Sequence, residues 1–149
     1  MAMKMSGQVT LPASRQTVWE KLNDPEVLKG CIPGCQSLER TGDNGFAATA
    51  KIKVGPVSAT FNGAVTLSDL DPPNGYKISG QGEGGLAGFA KGGATVKLSD
   101  AAQGSTVLSY DVEASVGGKL AQLGGRLIDG VAKKMADDFF NRFAAAVTA

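Results

Sequence analysis

With 149 residues, of which 42% are hydrophobic, the chain is sized for one ordinary domain with a core of its own, expected to span residues 1–149. Its 15 lysines and arginines against 14 acids leave a net charge of +1 with no basic run, which argues against a nucleic-acid surface and against a polybasic membrane anchor. Histidine is absent, so triads that use it as a base are excluded, and the two cysteines are too few for a structural zinc site.

Met3 to Leu11 alternates and predicts a first strand, with Met5, Val9 and Leu11 inward and Pro12 ending it. Ser14 is placed to cap a short helix from Arg15 to Leu22, on which Val18, Trp19 and Leu22 share a face. Asn23-Asp24-Pro25 breaks that helix, and Pro25 suits the first turn of a second one through Leu28. Gly30 to Gly34 reads as a turn and Gln36 to Arg40 as the next strand, followed by the hairpin signal Gly42-Asp43-Asn44-Gly45. Phe46, Ala48, Ala50, Ile52 and Val54 alternate with polar residues; after the Gly55-Pro56 turn, Val57, Ala59, Phe61, Gly63, Val65 and Leu67 do the same. Asp71 to Gly75 is a turn, and Tyr76 to Glu83 and Ala94 to Ser99 read as two further strands. In the last strand Leu108, Tyr110, Val112, Ala114 and Val116 face one way, leaving Asp111 and Glu113 toward water.

At Lys119 the hydrophobic period changes from two to about 3.6. Leu120, Leu123, Leu127, Val131, Met135, Phe139 and Phe143 form a stripe, which predicts one helix over residues 119–147, roughly 43 Å long, lying along a large concave surface. Strands joined by short turns, with no βαβ pattern, favour an antiparallel meander. No stretch approaches the roughly 18 apolar residues of a membrane-spanning helix, and Met1 to Gly7 lacks the apolar centre of a signal peptide, so a cytoplasmic location is expected.

Chemistry is sparse. Gly80-Gln81-Gly82-Glu83-Gly84-Gly85 has the spacing of a dinucleotide-binding turn, yet such a turn must open a helix, and the following Leu-Ala-Gly-Phe-Ala-Lys-Gly-Gly is a poor one. Seven glycines between Gly80 and Gly93 fit a sharply curved wall or a flap instead. Cys31 and Cys35, either side of Ile-Pro-Gly, read as small thiols shaping a loop. Glu83 is the carboxylate placed to face an interior, and Arg126 is a candidate for holding the polar end of a ligand.

Taken in order, Leu22-Asn23-Asp24-Pro25-Glu26-Val27-Leu28, Cys31-Ile32-Pro33-Gly34-Cys35-Gln36-Ser37-Leu38-Glu39, Lys51 to Val57, Phe61-Asn62-Gly63, Gly80 to Gly85, Gly125-Arg126-Leu127-Ile128, Ala132-Lys133-Lys134 and Phe139-Phe140 resemble the carbon monoxide dehydrogenase CoxG family over nearly the whole chain. The resemblance implies the START-like (SRPBCC) helix-grip fold of the α+β class: a curved antiparallel sheet of about six to seven strands, two short helices after the first strand, and a long C-terminal helix in the sheet's concavity. It also implies an accessory role beside a molybdenum hydroxylase of the CO dehydrogenase type, one associated with membrane attachment and coupling to the quinone pool.

The reading that joins these strands is a binding accessory protein for a lipid or isoprenoid quinone, with no catalytic residue, metal or cofactor of its own and no nucleic-acid partner. Its alternatives are a cyclase, dehydratase or hydrolase of the same fold, relying on Glu83, Tyr110 and Arg126, and a protein–protein adaptor with a collapsed core. The expected lining is Phe61, Val65, Phe89, Leu108, Tyr110, Leu123, Leu127, Val131 and Met135; the expected rim or polar anchor is Cys31, Ile32, Pro33, Glu83, Gly84 and Arg126. A CO dehydrogenase-like complex is the expected partner, with peripheral contact at the inner face of the membrane.

Overall fold

The computed structural model describes residues 2–148. Strand β1 (Ala2–Leu11) leads into helices α1 (Arg15–Leu22) and α2 (Pro25–Cys31). Strands β2 (Cys35–Gly42), β3 (Gly45–Val54), β4 (Val57–Asp71), β5 (Gly75–Glu83), β6 (Phe89–Asp100) and β7 (Thr106–Gly117) follow, then helices α3 (Lys119–Gln122) and α4 (Gly125–Ala146). The strands form one seven-stranded sheet in the order β1-β7-β6-β5-β4-β3-β2, and every neighbouring pair is antiparallel. Thus β2 to β7 is a meander, and β1 returns to pair with the last strand.

The local chemistry behaves as the residues demand. The Ser14 side chain accepts from the Thr17 backbone N–H, and Asp24 accepts from that of Glu26, so both short helices begin on a side-chain cap. Pro25 occupies the first helical turn, where a missing N–H is harmless. Asp43-Asn44 and Gly55-Pro56 each close a hairpin in two residues, with Gly42 paired to Gly45 and Val54 to Val57.

An antiparallel meander sorts its connections to two ends. At one lie the β2–β3, β4–β5 and β6–β7 links together with α1. Arg15 pins α1 there, its Nε donating to Asp100 at 2.8 Å and its Nη1 to Asn74, while the buried Thr106 hydroxyl donates to the Ala13 carbonyl at 2.7 Å. At the other end lie the β3–β4 and β5–β6 links and α3.

The core divides along the same axis. One buried cluster, at the α1 end, gathers Leu11, Val18, Trp19, Leu22, Cys31, Leu38, Phe46, Leu67, Tyr76, Val96, Leu98, Leu108, Phe143 and Val147. A smaller one, at the α3 end, holds Val54, Val116, Leu120 and Ile128, with Phe61, Leu123 and Val131 packed against it.

Two expectations need correction. The predicted single helix over 119–147 is two helices, because Gly124 sits at φ +90°, a left-handed conformation that glycine adopts without penalty and that an α-helix cannot continue. The break re-phases the stripe: Ile128 is buried, while Leu127 is 37% exposed against the Gly55 turn. The strand expected over Ala94 to Ser99 begins at Phe89, so Phe89 to Gly93 is hydrogen-bonded wall and not flap.

Candidate functional site

The inward faces of the strands line up in rows. Near the α1 end the rows are Val9–Leu108–Leu98 and Tyr110–Val96–Tyr76, all large side chains. Toward the α3 end the rows become Ala114–Gly92–Gly80–Val65 and Val116–Ala90–Gly82–Gly63–Ala48. Apart from Val65 and Val116, these rows offer nothing beyond Cβ.

Helix α4 does not fill the gap. Its backbone runs beside α2, β1 and β3, toward the margins of the sheet. A pocket of about 320 Å³ remains, lined by Val65, Ile78, Gly80, Gly82, Ala90, Gly92, Ala94, Val112 and Ala114 of the inward face, with backbone and flanking atoms of their neighbours. The volume is at the lower end of the range for small-molecule sites. Val65, Ile78 and Val112 stay only half-buried, although each points inward.

A larger recess of about 950 Å³ lies on the outer face of the sheet, where Lys4, Thr66, Lys77, Ser79, Gln81, Lys91, Thr95 and Glu113 border a broad trough open to solvent. Its charged side chains are partly satisfied already, Lys4 by Glu113 and Lys77 by Asp69. The inner pocket is smaller and just as open to solvent, but its lining is almost entirely carbon, which suits an apolar molecule better than the mixed lining of the outer trough.

The expected lining residues fall into three groups. Val65 borders the inner pocket, and Phe61, Leu123, Val131 and Met135 lie half-buried on inward faces, the first three against the smaller cluster. Leu108 is 1% exposed inside the larger cluster, and Tyr110 stacks on Phe140 at 5.2 Å with its hydroxyl leaning over Gly7 on β1. These two belong to the packed part of the interior. Phe89 and Leu127 are outside it: Phe89, 43% exposed, covers Gly117 on the outer face.

Parity explains Phe89. Even-numbered residues of β5 and β6 face inward, as Gly80 pairs with Gly92 and Gly82 with Ala90, so the odd-numbered Phe89 and Glu83 point out. Glu83 is therefore exposed and does not face the interior, a correction to its expected role. Gly84 lies against the Phe61 ring, at the rim, and Arg126 is exposed in the first turn of α4. Cys31 is buried in the larger cluster with Cys35 packed against it; Ile32 and Pro33 follow α2, half-buried.

The residues the sequence reading missed are Ile78, Gly80, Gly82, Ala90, Gly92 and Ala94. Their signal was a period-two recurrence of glycine and alanine, the small-residue counterpart of a hydrophobic alternation. The dinucleotide-like spacing is explained the same way: Gly80 and Gly82 are floor positions of a strand, and only the three-residue 3-10 turn Gly85–Ala87 follows.

Polar chemistry is thin around this pocket. Glu83 and Arg126 are exposed, whereas Tyr110 packs inward against Phe140 and Gly7. Burial pushes both thiols above their ordinary range, partly offset by Arg142 at Cys31, and by Lys29 and then the Ser37 backbone at Cys35. They stay protonated at neutral pH, which is the unreactive form. The Tyr76 phenol is pushed up to about 12 by desolvation. Among the described residues no group of three or more histidine, cysteine or carboxylate side chains is placed to hold a metal ion.

A seven-stranded antiparallel sheet with two short helices after its first strand, a long C-terminal helix and an apolar pocket on its inward face defines a START-like, helix-grip protein. Solved structures agree on the fold: a START superfamily protein from Mycobacterium smegmatis has a TM-score of 0.71 at 16% identity, covering 97% of this chain and 97% of its own. The Zhui aromatase/cyclase from Streptomyces sp. R1128 has a TM-score of 0.70 at 14% identity, covering 99% of this chain and 94% of its own. A conserved protein from Geobacillus kaustophilus is nearer, with a TM-score of 0.92 and 34% identity over 98% of this chain and 95% of that one. The profile of the carbon monoxide dehydrogenase CoxG family matches residues 7–148, and the chain belongs to that family. Among curated proteins none matches it.

Proposed function

We propose that the protein is a non-enzymatic carrier for an apolar small molecule, an isoprenoid quinone or a lipid, acting as an accessory to a CO dehydrogenase-type molybdenum hydroxylase and coupling it to the quinone pool. The observation that carries this reading is the apolar pocket of about 320 Å³ on the inward face of the glycine-rich strands β4 to β7. The family supports the accessory role and the choice of partner.

The energetics suit a carrier. Burial of roughly 300 Å² of prenyl surface gains about 7 kcal/mol gross, and ordering of the ligand and the rim reduces this substantially. Little polar recognition is required. A long tail exceeds the pocket, which is open to solvent and leaves it room to run on along the sheet. The scattered placement of Glu83, Tyr110 and Arg126 supports a carrier over an enzyme of the same fold.

The test is organic extraction of the purified protein followed by mass spectrometry, together with titration of the stripped protein with short-chain quinones and with a fatty acid. Co-purification of a quinone or lipid, or saturable binding, is the expected result. An empty extract with no binding to either probe overturns the reading.

A further inference from the structure

The two edges of the sheet are built differently. At one, β2 is blunted: its pairing with β3 shifts register twice, Glu39 and Arg40 stand in it, and α2 runs beside it. Arg40 is also tied to the carbonyls of Asn23 and Asp43. Bulges, charges and a covering helix are the devices that keep an edge strand from pairing with another chain. The other edge, β1, has none of the first three kinds of protection. It pairs with β7 in unbroken register from Ala2 to Leu11 and contains no proline. Its single charge, Lys4, is already held by Glu113 at 3.5 Å. Among the described residues no backbone other than β7 hydrogen-bonds to Ala2–Thr10, so the outer side of β1 presents free N–H and C=O groups.

The same strand carries an apolar margin. The pocket row Ala114–Gly92–Gly80 runs on to Met3, and the row Val112–Ala94–Ile78 runs on to Met5. Both methionines and Val9 are only half-buried, although each faces inward. On this side of the pocket the sheet ends with two flexible side chains.

We infer that β1 is a self-association edge, on which the β1 strands of two copies pair antiparallel about a two-fold axis at Ser6 and join the two sheets into one. Inward residues must meet inward residues, so paired positions share parity, and the register centred on Ser6 pairs the whole of Ala2–Thr10 with its mate. It sets Lys4 opposite Gln8 of the second copy, so no like charges meet. On the inward face Met3 comes to lie beside Val9 of the second copy and Met5 beside Gly7, which covers the apolar margin of both copies. A foreign strand would find no free charge here to recognise, since Lys4 is engaged; a second β1 needs none. Edge pairing buries less area than a standard interface, so the association is weak. It goes beyond the carrier reading and does not depend on it.

The test is sedimentation velocity of the full chain from micromolar to near-millimolar concentration. The mass is expected to rise from that of one chain toward that of two and to stop there, because the two-fold pairing uses up the edge. Ser6→Lys sets two lysines face to face on the axis, and Gln8→Lys sets a lysine opposite Lys4 twice. Each is expected to weaken dimerisation by about tenfold or more. Both positions are exposed on the outer face, and circular dichroism checks that the variants are folded. Gln81→Lys, the same change at an exposed position of β5 in the middle of that face, is expected to leave the dimer unchanged. A chain that stays single across the range overturns the pairing. So does a dimer that Ser6→Lys and Gln8→Lys leave intact, or one that Gln81→Lys weakens equally. Quinone or lipid uptake by a chain that stays single removes the edge pairing alone and leaves the carrier reading standing.

Discussion

The two halves of this interior are built on one sheet with one inward parity, yet one is filled and the other hollow. At the α1 end each row carries a tyrosine, valine or leucine, and Phe143 of α4 is completely buried among them. A few residues along the same strands the rows carry Gly80, Gly82, Gly92 and Ala90, and the helix above has no partner of matching size. The fold itself therefore does not dictate a cavity; the choice of glycine at a handful of inward positions does. Stability is concentrated in one half, which frees the other from the need to pack.

The sharpest way to break that comparison is to excavate the filled half. Phe143→Ala removes a side chain with no exposed surface that stacks on Phe139 at 5.7 Å. It is expected to destabilise by about 3–5 kcal/mol, read as a fall in Tm of about 10 °C or more. Below the new Tm, ligand affinity is expected to stay within about threefold of the parent. A collapse of affinity in protein that calorimetry shows to be folded would mean that the halves are coupled.

A second probe of the same half is pH. The Tyr76 phenol is buried against Trp19 with ring centroids 5.3 Å apart, and its pKa is raised from 10.0 to about 12 by desolvation. Above pH 10 the unfolded chain releases a proton that the folded protein still holds, so the unfolded state binds fewer protons and stability falls as pH rises. The contribution is complete below about pH 10 and lost by about pH 12, amounting to at most about 3 kcal/mol. Denaturant titrations across that window are expected to show the decline in the parent and a shallower one in Tyr76→Phe. Identical slopes would place the phenol in contact with water.

Period-two alternation carried the strands and the change of period at Lys119 carried the C-terminal helices, because both reflect the burial of one face. The long helix was misjudged at Gly124-Gly125, where hydrophobic spacing runs through a pair of glycines that the backbone uses to stop and restart. Phe89 and Glu83 were misplaced for a related reason. Parity is counted on side chains, and between Gly80 and Gly93 half the positions have none. The even-numbered inward parity runs on through the Gly84–Gly88 turn, from Gly82 to Ala90, with few side chains to mark it. The pocket floor was hidden in that stretch, since a cavity is made of missing side chains and hydropathy records only those present.

The remaining predictions act on the hollow half, and they differ from each other for a local reason. At Gly92 an added Cβ would collide with the Glu113 carbonyl and the Ala114 backbone of β7. Gly92→Ala is therefore expected to strain the β6–β7 pairing and lower stability by about 1–3 kcal/mol. At Gly82 an added Cβ meets only Asn62 and Gly63 backbone atoms, at 3.8 and 3.9 Å, which is ordinary contact. A side chain there projects inward over the floor. Gly82→Leu is expected to change stability by less than about 1 kcal/mol, since the space it fills is open and glycine is a poor strand residue. It is expected to weaken short-chain quinone or fatty-acid binding by about tenfold or more, the effect of displacing a ligand whose recognition is mainly apolar area. The decisive measurement is both quantities on both variants, by thermal unfolding and by titration. Unfolding at Gly92 with intact Gly82→Leu binding would move the site to the outer trough; loss of binding at Gly82 with stability kept places the ligand on the glycine floor.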